Sequence, residues 1–112
     1  MIYQHFKGWA AEQLTCLYYM CFLYVPLKRR YKTKVGEIDL VMRRMNKLVF
    51  VEVKARRKGM HENIISYVQQ KRIKRAAELF IIRHPRYNGY DIRFDLALVK
   101  PYSLPKIIKS AW

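Results

Sequence analysis

Gly36-Glu37-Ile38-Asp39-Leu40-Val41 and the later run Leu48-Val49-Phe50-Val51-Glu52-Val53-Lys54 decide the fold. Val, Ile, Leu and Phe dominate both runs. Arg44-Met45-Asn46-Lys47 between them predicts a tight hairpin turn, with Asn46 suited to left-handed backbone. Strand side chains alternate between faces, so Glu37, Asp39 and Val41 are expected on one face and Ile38, Leu40 and Met42 on the other. Phe50, Glu52 and Lys54 likewise oppose Val49, Val51 and Val53. A hairpin closing symmetrically about Met45-Asn46 puts Asp39 opposite Glu52 and Glu37 opposite Lys54, with facing Cβ atoms roughly 5 Å apart. Two carboxylates that close raise each other's pKa unless a cation lies between them. A divalent, oxygen-seeking ion would relieve the repulsion, and Lys54 would complete a cluster suited to phosphate chemistry. A bulge in either strand would shift the pairing and separate the two acids, so the reading depends on register.

The 112 residues suit one domain, 1–112, with a single core. Half are hydrophobic, which argues for a folded globule. Lys and Arg number 23 against 8 Asp and Glu, a net charge of +15 that favours an anionic partner, nucleic acid first and an anionic membrane surface second. Cys16 and Cys21 read as small buried hydrophobes in a reducing, cytoplasmic setting. No CxxC pair or His/Cys cluster suggests zinc, and His5, His61 and His84 are scattered.

Residues Tyr3 to Tyr24 predict a helix, with Leu14, Leu17, Tyr18, Cys21 and Phe22 at helical spacing and Pro26 as its breaker. A signal peptide is disfavoured: the apolar run lacks a strongly basic leader and a clear cleavage site, and is too short to span a bilayer. Lys28, Arg29, Arg30, Lys32 and Lys34 then form a basic segment. It reads either as an edge strand protected by charge or as a phosphate-tracking surface. Ala55-Arg56-Arg57-Lys58-Gly59 is a basic exit from the hairpin, and Met60 to Ser66 a loop. Ser66-x-x-Gln69 predicts a capping box opening a second helix that ends near Pro85, with Ile73, Ala76, Ala77, Phe80 and Ile81 as its buried stripe. Lys71, Arg72, Lys74 and Arg75 in its first turns are either a solvated face or a place for phosphate. Asp91 to Val99 predicts another strand, with Ile92, Phe94, Leu96 and Leu98 on its apolar face and Asp95 on a polar face beside Arg93. Ile107-Ile108 suggests a short edge strand.

An Asp on one strand followed by Glu-x-Lys on the next resembles the PD-(D/E)xK nuclease superfamily. Gly-Glu-Ile-Asp-Leu-Val followed by Leu-Val-Phe-Val-Glu-Val-Lys-Ala-Arg-Arg more closely resembles the YraN (UPF0102) family of small bacterial endonuclease-like proteins. The resemblance extends to Gly8-x-x-x-Glu12, Gln70, Ala76-Ala77-Glu78-Leu79 and Arg93-Phe94-Asp95. It implies an α/β domain with a restriction-endonuclease-like core: a mixed central sheet flanked by helices in the order α-β-β-β-α-β. Four of the eight acids fall in or near the site so implied.

The activity implied is metal-dependent hydrolysis of phosphodiester bonds, as in branched-DNA resolvases and restriction enzymes. Asp39, Glu52 and the backbone carbonyl of Val53 would hold Mg²⁺, or Mn²⁺ in its place. Lys54 would orient the attacking water or stabilise developing charge, Glu12 and Glu37 would complete the metal shell, and Gln70 would assist from the side. Phosphate contacts would fall to Lys28, Arg29, Arg30, Lys32, Lys34, Arg56, Arg57, Lys71, Arg72, Lys74 and Arg75. DNA is favoured over RNA, and no membrane insertion is expected. Paired cuts would favour a homodimer, although no interface stripe is evident, and no residue supports a helicase or recombination partner. The loop Met60 to Ile65 departs from the small, glycine-rich residues frequent in the family, as Gln69 departs from a frequent basic residue. A non-catalytic nucleic-acid-binding module, a membrane-surface adaptor and a simple pair of cross-strand salt bridges are the rival readings.

Overall fold

A computed structural model describes residues 2–55 and 65–112, with side chains from Gly8 onward. Within them the order is α1 (Ile2–Cys21), β1 (Val25–Lys32), β2 (Glu37–Arg44), β3 (Lys47–Ala55), α2 (Tyr67–Arg83), a 3-10 turn at Pro85–Tyr87, β4 (Asp91–Val99) and β5 (Lys106–Ile108). The described strands form one mixed sheet in the order β1-β2-β3-β4-β5. Only β3 and β4 run parallel, joined by the crossover through α2 as parallel neighbours require. The α/β architecture expected from the sequence is the one observed.

The hairpin register is the predicted one where the ladder forms. Leu40 faces Val51, Val41 faces Phe50 and Arg44 faces Lys47, with no shift along the pair. At the turn it is Met45, at φ 54°, rather than Asn46 that takes left-handed backbone. A register shift occurs between β1 and β2, at Pro26/Lys28.

Each helix covers one face of the sheet. On one side Ile73, Ala76, Ala77 and Phe80 of α2 pack with Val41, Leu48 and Phe50. On the other, Cys16 and Tyr19 of α1 pack with Leu40, Met42, Val49, Val51 and Ala97. Ile38 breaks the expected alternation, joining Val41 on the α2 side rather than Leu40 and Met42 on the α1 side. Arg30, in β1 between the partners of Ile38 and Leu40, has φ 50°, so the backbone kinks where Asp39 is placed.

The predicted start of α2 holds: Ser66 is its N-cap, accepting from the Gln69 N–H at 3.1 Å, and His84 is its C-cap. By contrast, α1 ends at Cys21 rather than Tyr24, and Pro26 lies inside β1. The stop is made by Leu23 at φ 71°, with the Tyr24 and Phe22 N–H groups both donating to the Tyr19 carbonyl. The buried side of α1 is Ala11, Thr15, Cys16 and Tyr19, whereas Leu14, Leu17, Cys21 and Phe22 are exposed. Cys21 is therefore not the buried hydrophobe expected.

Asp95 also departs from expectation. It is fully buried beneath α1, where it accepts from Tyr19 Oη at 2.7 Å, Arg93 Nε at 2.8 Å and the Ser110 N–H at 3.1 Å, while Ile92 of the expected apolar face is exposed. Burial and the adjoining Asp95 charge push the Tyr19 hydroxyl far above its ordinary range, so it stays a proton donor to the carboxylate. This network ties α1, β4 and the C-terminal segment together. The pairing with Arg93 is as expected; its depth is not.

Candidate functional site

The β2–β3 ladder ends at Leu40 and Val51, and the next residue on each strand is an acid. Instead of continuing the ladder with its main chain alone, Asp39 turns a carboxylate oxygen toward β3, where the Val53 N–H donates to Oδ2 at 2.8 Å. Glu52 follows Phe50 onto the α2 side and is only 8% exposed. Lys54 continues on that side, its Nζ 3.4 Å from Glu52 Oε2. The unshifted β2–β3 register sets positions 39 and 52 opposite each other, and the kink at Arg30 lies in β1 opposite Asp39.

The electrostatics follow from that crowding. Burial, then the charge of Glu52, push the Asp39 carboxyl up from 3.8 to about 8, against the pull of the Val53 N–H. Burial also raises Glu52, with Lys54 opposing it. A half-buried and a buried acid, both with elevated proton affinity, are a poor solution for a solvated cross-strand salt bridge and a good one for a cation site.

The other residues expected at the site are placed differently. Glu12 reaches toward it from α1 but its Oε1 accepts from Arg30 Nε at 3.0 Å. Glu37 is exposed and pairs with Lys32 across β1–β2, outside the β2–β3 ladder that was to set it against Lys54. Gln70 turns away, its Nε2 donating to the Ile65 carbonyl at 2.8 Å. Gln69 occupies the place expected of Gln70: its Nε2 donates to Glu52 Oε2 at 2.7 Å, and its Oε1 accepts from Lys54 Nζ at 3.5 Å. The signal was present, since 69, 73, 76 and 80 lie on one helical stripe and the last three are buried. The sequence marks Gln69 as the far end of a capping box and as a departure from a frequent basic residue, and neither feature points to Glu52.

Among the described residues no three His, Cys, Asp or Glu side chains converge as a metal-holding group. Asp39 and Glu52 therefore offer two carboxylates. That suits Mg²⁺, which is commonly held by one or two carboxylates and keeps several waters.

Gly36 brings the β1–β2 turn against α2 so closely that a Cβ there would lie 2.4 Å from the Arg72 carbonyl oxygen. The site thus sits between two cationic segments. Lys28, Arg29, Lys32 and Lys34 are exposed on the β1 side, and Lys71, Arg72, Lys74 and Arg75 on α2; Arg30 is half-buried against Glu12. Lys71 and Lys74 lie over the Tyr67 and Phe94 rings at 4.8 and 5.9 Å from the centroids. Arg56 and Arg57 fall outside the described residues, as does most of the loop from Met60.

Residues 11–99 match the family described as "Uncharacterised protein family UPF0102". A UPF0102 protein of Rhodopseudomonas palustris (strain BisB18) is 41% identical over 94% of this chain and 78% of its own length. One of Nitrobacter winogradskyi is 39% identical over 94% and 90%, and one of Ehrlichia ruminantium 39% identical over 94% and 82%.

Proposed function

This chain belongs to the UPF0102 family, and we propose that it is a metal-dependent nuclease of the PD-(D/E)xK type, with a restriction-endonuclease-like core, that hydrolyses phosphodiester bonds in DNA. One observation carries the reading: half-buried Asp39 and buried Glu52, both with raised proton affinity, meet where β2 and β3 part, with the Lys54 ammonium 3.4 Å from Glu52.

Asp39 and Glu52 would hold Mg²⁺ or Mn²⁺, with the Val53 carbonyl as a further donor; the bound ion would supply Lewis-acid stabilisation of the scissile phosphate. The Val53 N–H fixes one Asp39 oxygen, and Gln69 and Lys54 fix Glu52 Oε2, so both acids are oriented before a ligand arrives. Lys54, only partly exposed, is placed to stabilise negative charge growing on the phosphate. Glu12, held by Arg30, and Glu37, at the solvent edge, act at most through water. The cations of β1 and α2 would track the backbone on both sides, giving affinity that falls steeply with salt.

The test is cleavage of labelled linear, flapped, four-way and single-stranded DNAs with Mg²⁺ or Mn²⁺ by the parent, Asp39→Ala, Glu52→Ala and Lys54→Ala. Metal-dependent cutting lost in all three variants, with DNA binding retained, supports the nuclease. Tight binding without cutting on every substrate, indifferent to the substitutions, favours a non-catalytic nucleic-acid-binding module.

A further inference from the structure

The outer face of α1 carries large apolar side chains into solvent. Leu14, Leu17 and Met20 run along it, and Phe22, Leu23 and Val25 extend the row through the turn into β1. Leu17 is 56% exposed. Scattered apolar residues on a surface need no explanation; a contiguous row of this size does. A second observation concerns the same row. Leu23 holds left-handed backbone at φ 71°, a position where glycine is free of strain, yet the residue is 79% exposed. That backbone makes the stop of α1, and the leucine side chain carried there adds to the exposed apolar row.

The rim of the face is cationic. Arg44 Nη1 donates to the Phe22 carbonyl at 3.2 Å, Arg29 Nη1 donates to Gln13 Oε1 at 2.7 Å, and Lys28 stands exposed beside them. From Gly8 to Lys34 the sequence has one acid, Glu12, and Arg30 holds it.

We propose that this face docks on an anionic lipid surface. α1 lies in the interface, its apolar row meets the acyl boundary, and Lys28, Arg29 and Arg44 meet headgroup phosphates. Charge selects the occupant. A second copy would also cover the row, but would bring together two chains that each carry +15. No described helix is long and apolar enough to cross a membrane, so the attachment is peripheral. Phe22 and Arg44 mark the hairpin-turn end of β2, whereas Arg29 pairs with Leu40, next to Asp39, so a docked face occupies the same Lys28 and Arg29 that the proposed function gives to DNA.

Co-sedimentation of the whole chain with phosphatidylglycerol-containing vesicles, and with phosphatidylcholine vesicles alone, tests this. The parent is expected to bind the anionic vesicles, more weakly at high salt, and the neutral ones poorly. Leu17→Glu, at an exposed position, is expected to lower that binding by about tenfold or more with an unchanged melting temperature. Equal binding to both vesicle types, binding indifferent to Leu17→Glu, or no vesicle binding would each overturn the proposal. A dimer in sedimentation equilibrium that Leu17→Glu dissociates, without vesicle binding, would assign the face to a second copy.

Discussion

Metal affinity is expected to depend on pH, because Asp39 must lose a proton to bind a cation. In the folded, metal-free chain its carboxyl sits at about 8 against an ordinary 3.8, so folding raises its proton affinity. A group with a raised folded pKa contributes stability that is fully present below its unfolded value, near pH 4, and lost as pH rises through its folded value, near pH 8. Metal-free stability therefore falls across that window, at most by ~1.4 kcal/mol per pH unit, the limit for one proton. Burial sets the sign, Glu52 and Glu12 push the proton affinity up further, and the Val53 N–H pulls it down. A divalent ion competes with the proton, so affinity should rise by up to about tenfold per pH unit, roughly fiftyfold from pH 6 to pH 8, and level off above. Mn²⁺ titration calorimetry in two buffers of unequal ionisation enthalpy measures both the affinity and the proton released. Asp39→Asn should lose the metal affinity while melting at a higher temperature than the parent in metal-free buffer at pH 8. An affinity flat between pH 6 and pH 8 with no proton release would refute the argument, as would Asp39→Asn binding Mn²⁺ like the parent.

Other expectations address single contacts. Gln69→Ala should slow cleavage by about 10–100-fold through loss of the Glu52 orientation, while Gln70→Ala should leave the rate near that of the parent. Gly36→Ala forces a Cβ against the Arg72 carbonyl and should cost about 1–3 kcal/mol in urea denaturation. Leu23→Gly should raise stability by roughly 0.5–1 kcal/mol, since relief of left-handed strain exceeds the added chain entropy of glycine. Asp95→Ala breaks a buried charge pair and should cost about 3–5 kcal/mol, measured by the same denaturation.

The hairpin was legible because its signals were local and mutually consistent: two β-branched runs, a short turn and no inserted residue between Leu40 and Val51. The cap at Ser66 and the stripe Ile73, Ala76, Ala77 and Phe80 were legible for the same reason. α1 was harder. It is apolar over much of its circumference, and periodicity alone marked the Leu14–Leu17 side, whereas the sheet accepts the smaller Ala11, Thr15 and Cys16 with Tyr19. Close approach of a helix to a sheet favours small side chains, a packing fact that hydropathy does not encode. Asp95 was misplaced because its charge suggested solvent; its burial depends on Tyr19, 76 positions away, and on Arg93 and the Ser110 N–H. Gln69 and Gln70 are adjacent and chemically identical. Only the phase of α2 against the sheet, seen in three dimensions, distinguishes the one that reaches Glu52.

The most direct measurement of the central claim is single-turnover cleavage of the best DNA substrate by the parent and by the isosteric Glu52→Gln, with DNA affinity and melting temperature measured on the same samples. Metal-dependent cleavage by the parent that falls at least about a hundredfold in Glu52→Gln, with affinity and fold retained, is the predicted result. Cleavage unchanged in Glu52→Gln, or indifferent to chelation of divalent ions, would contradict it.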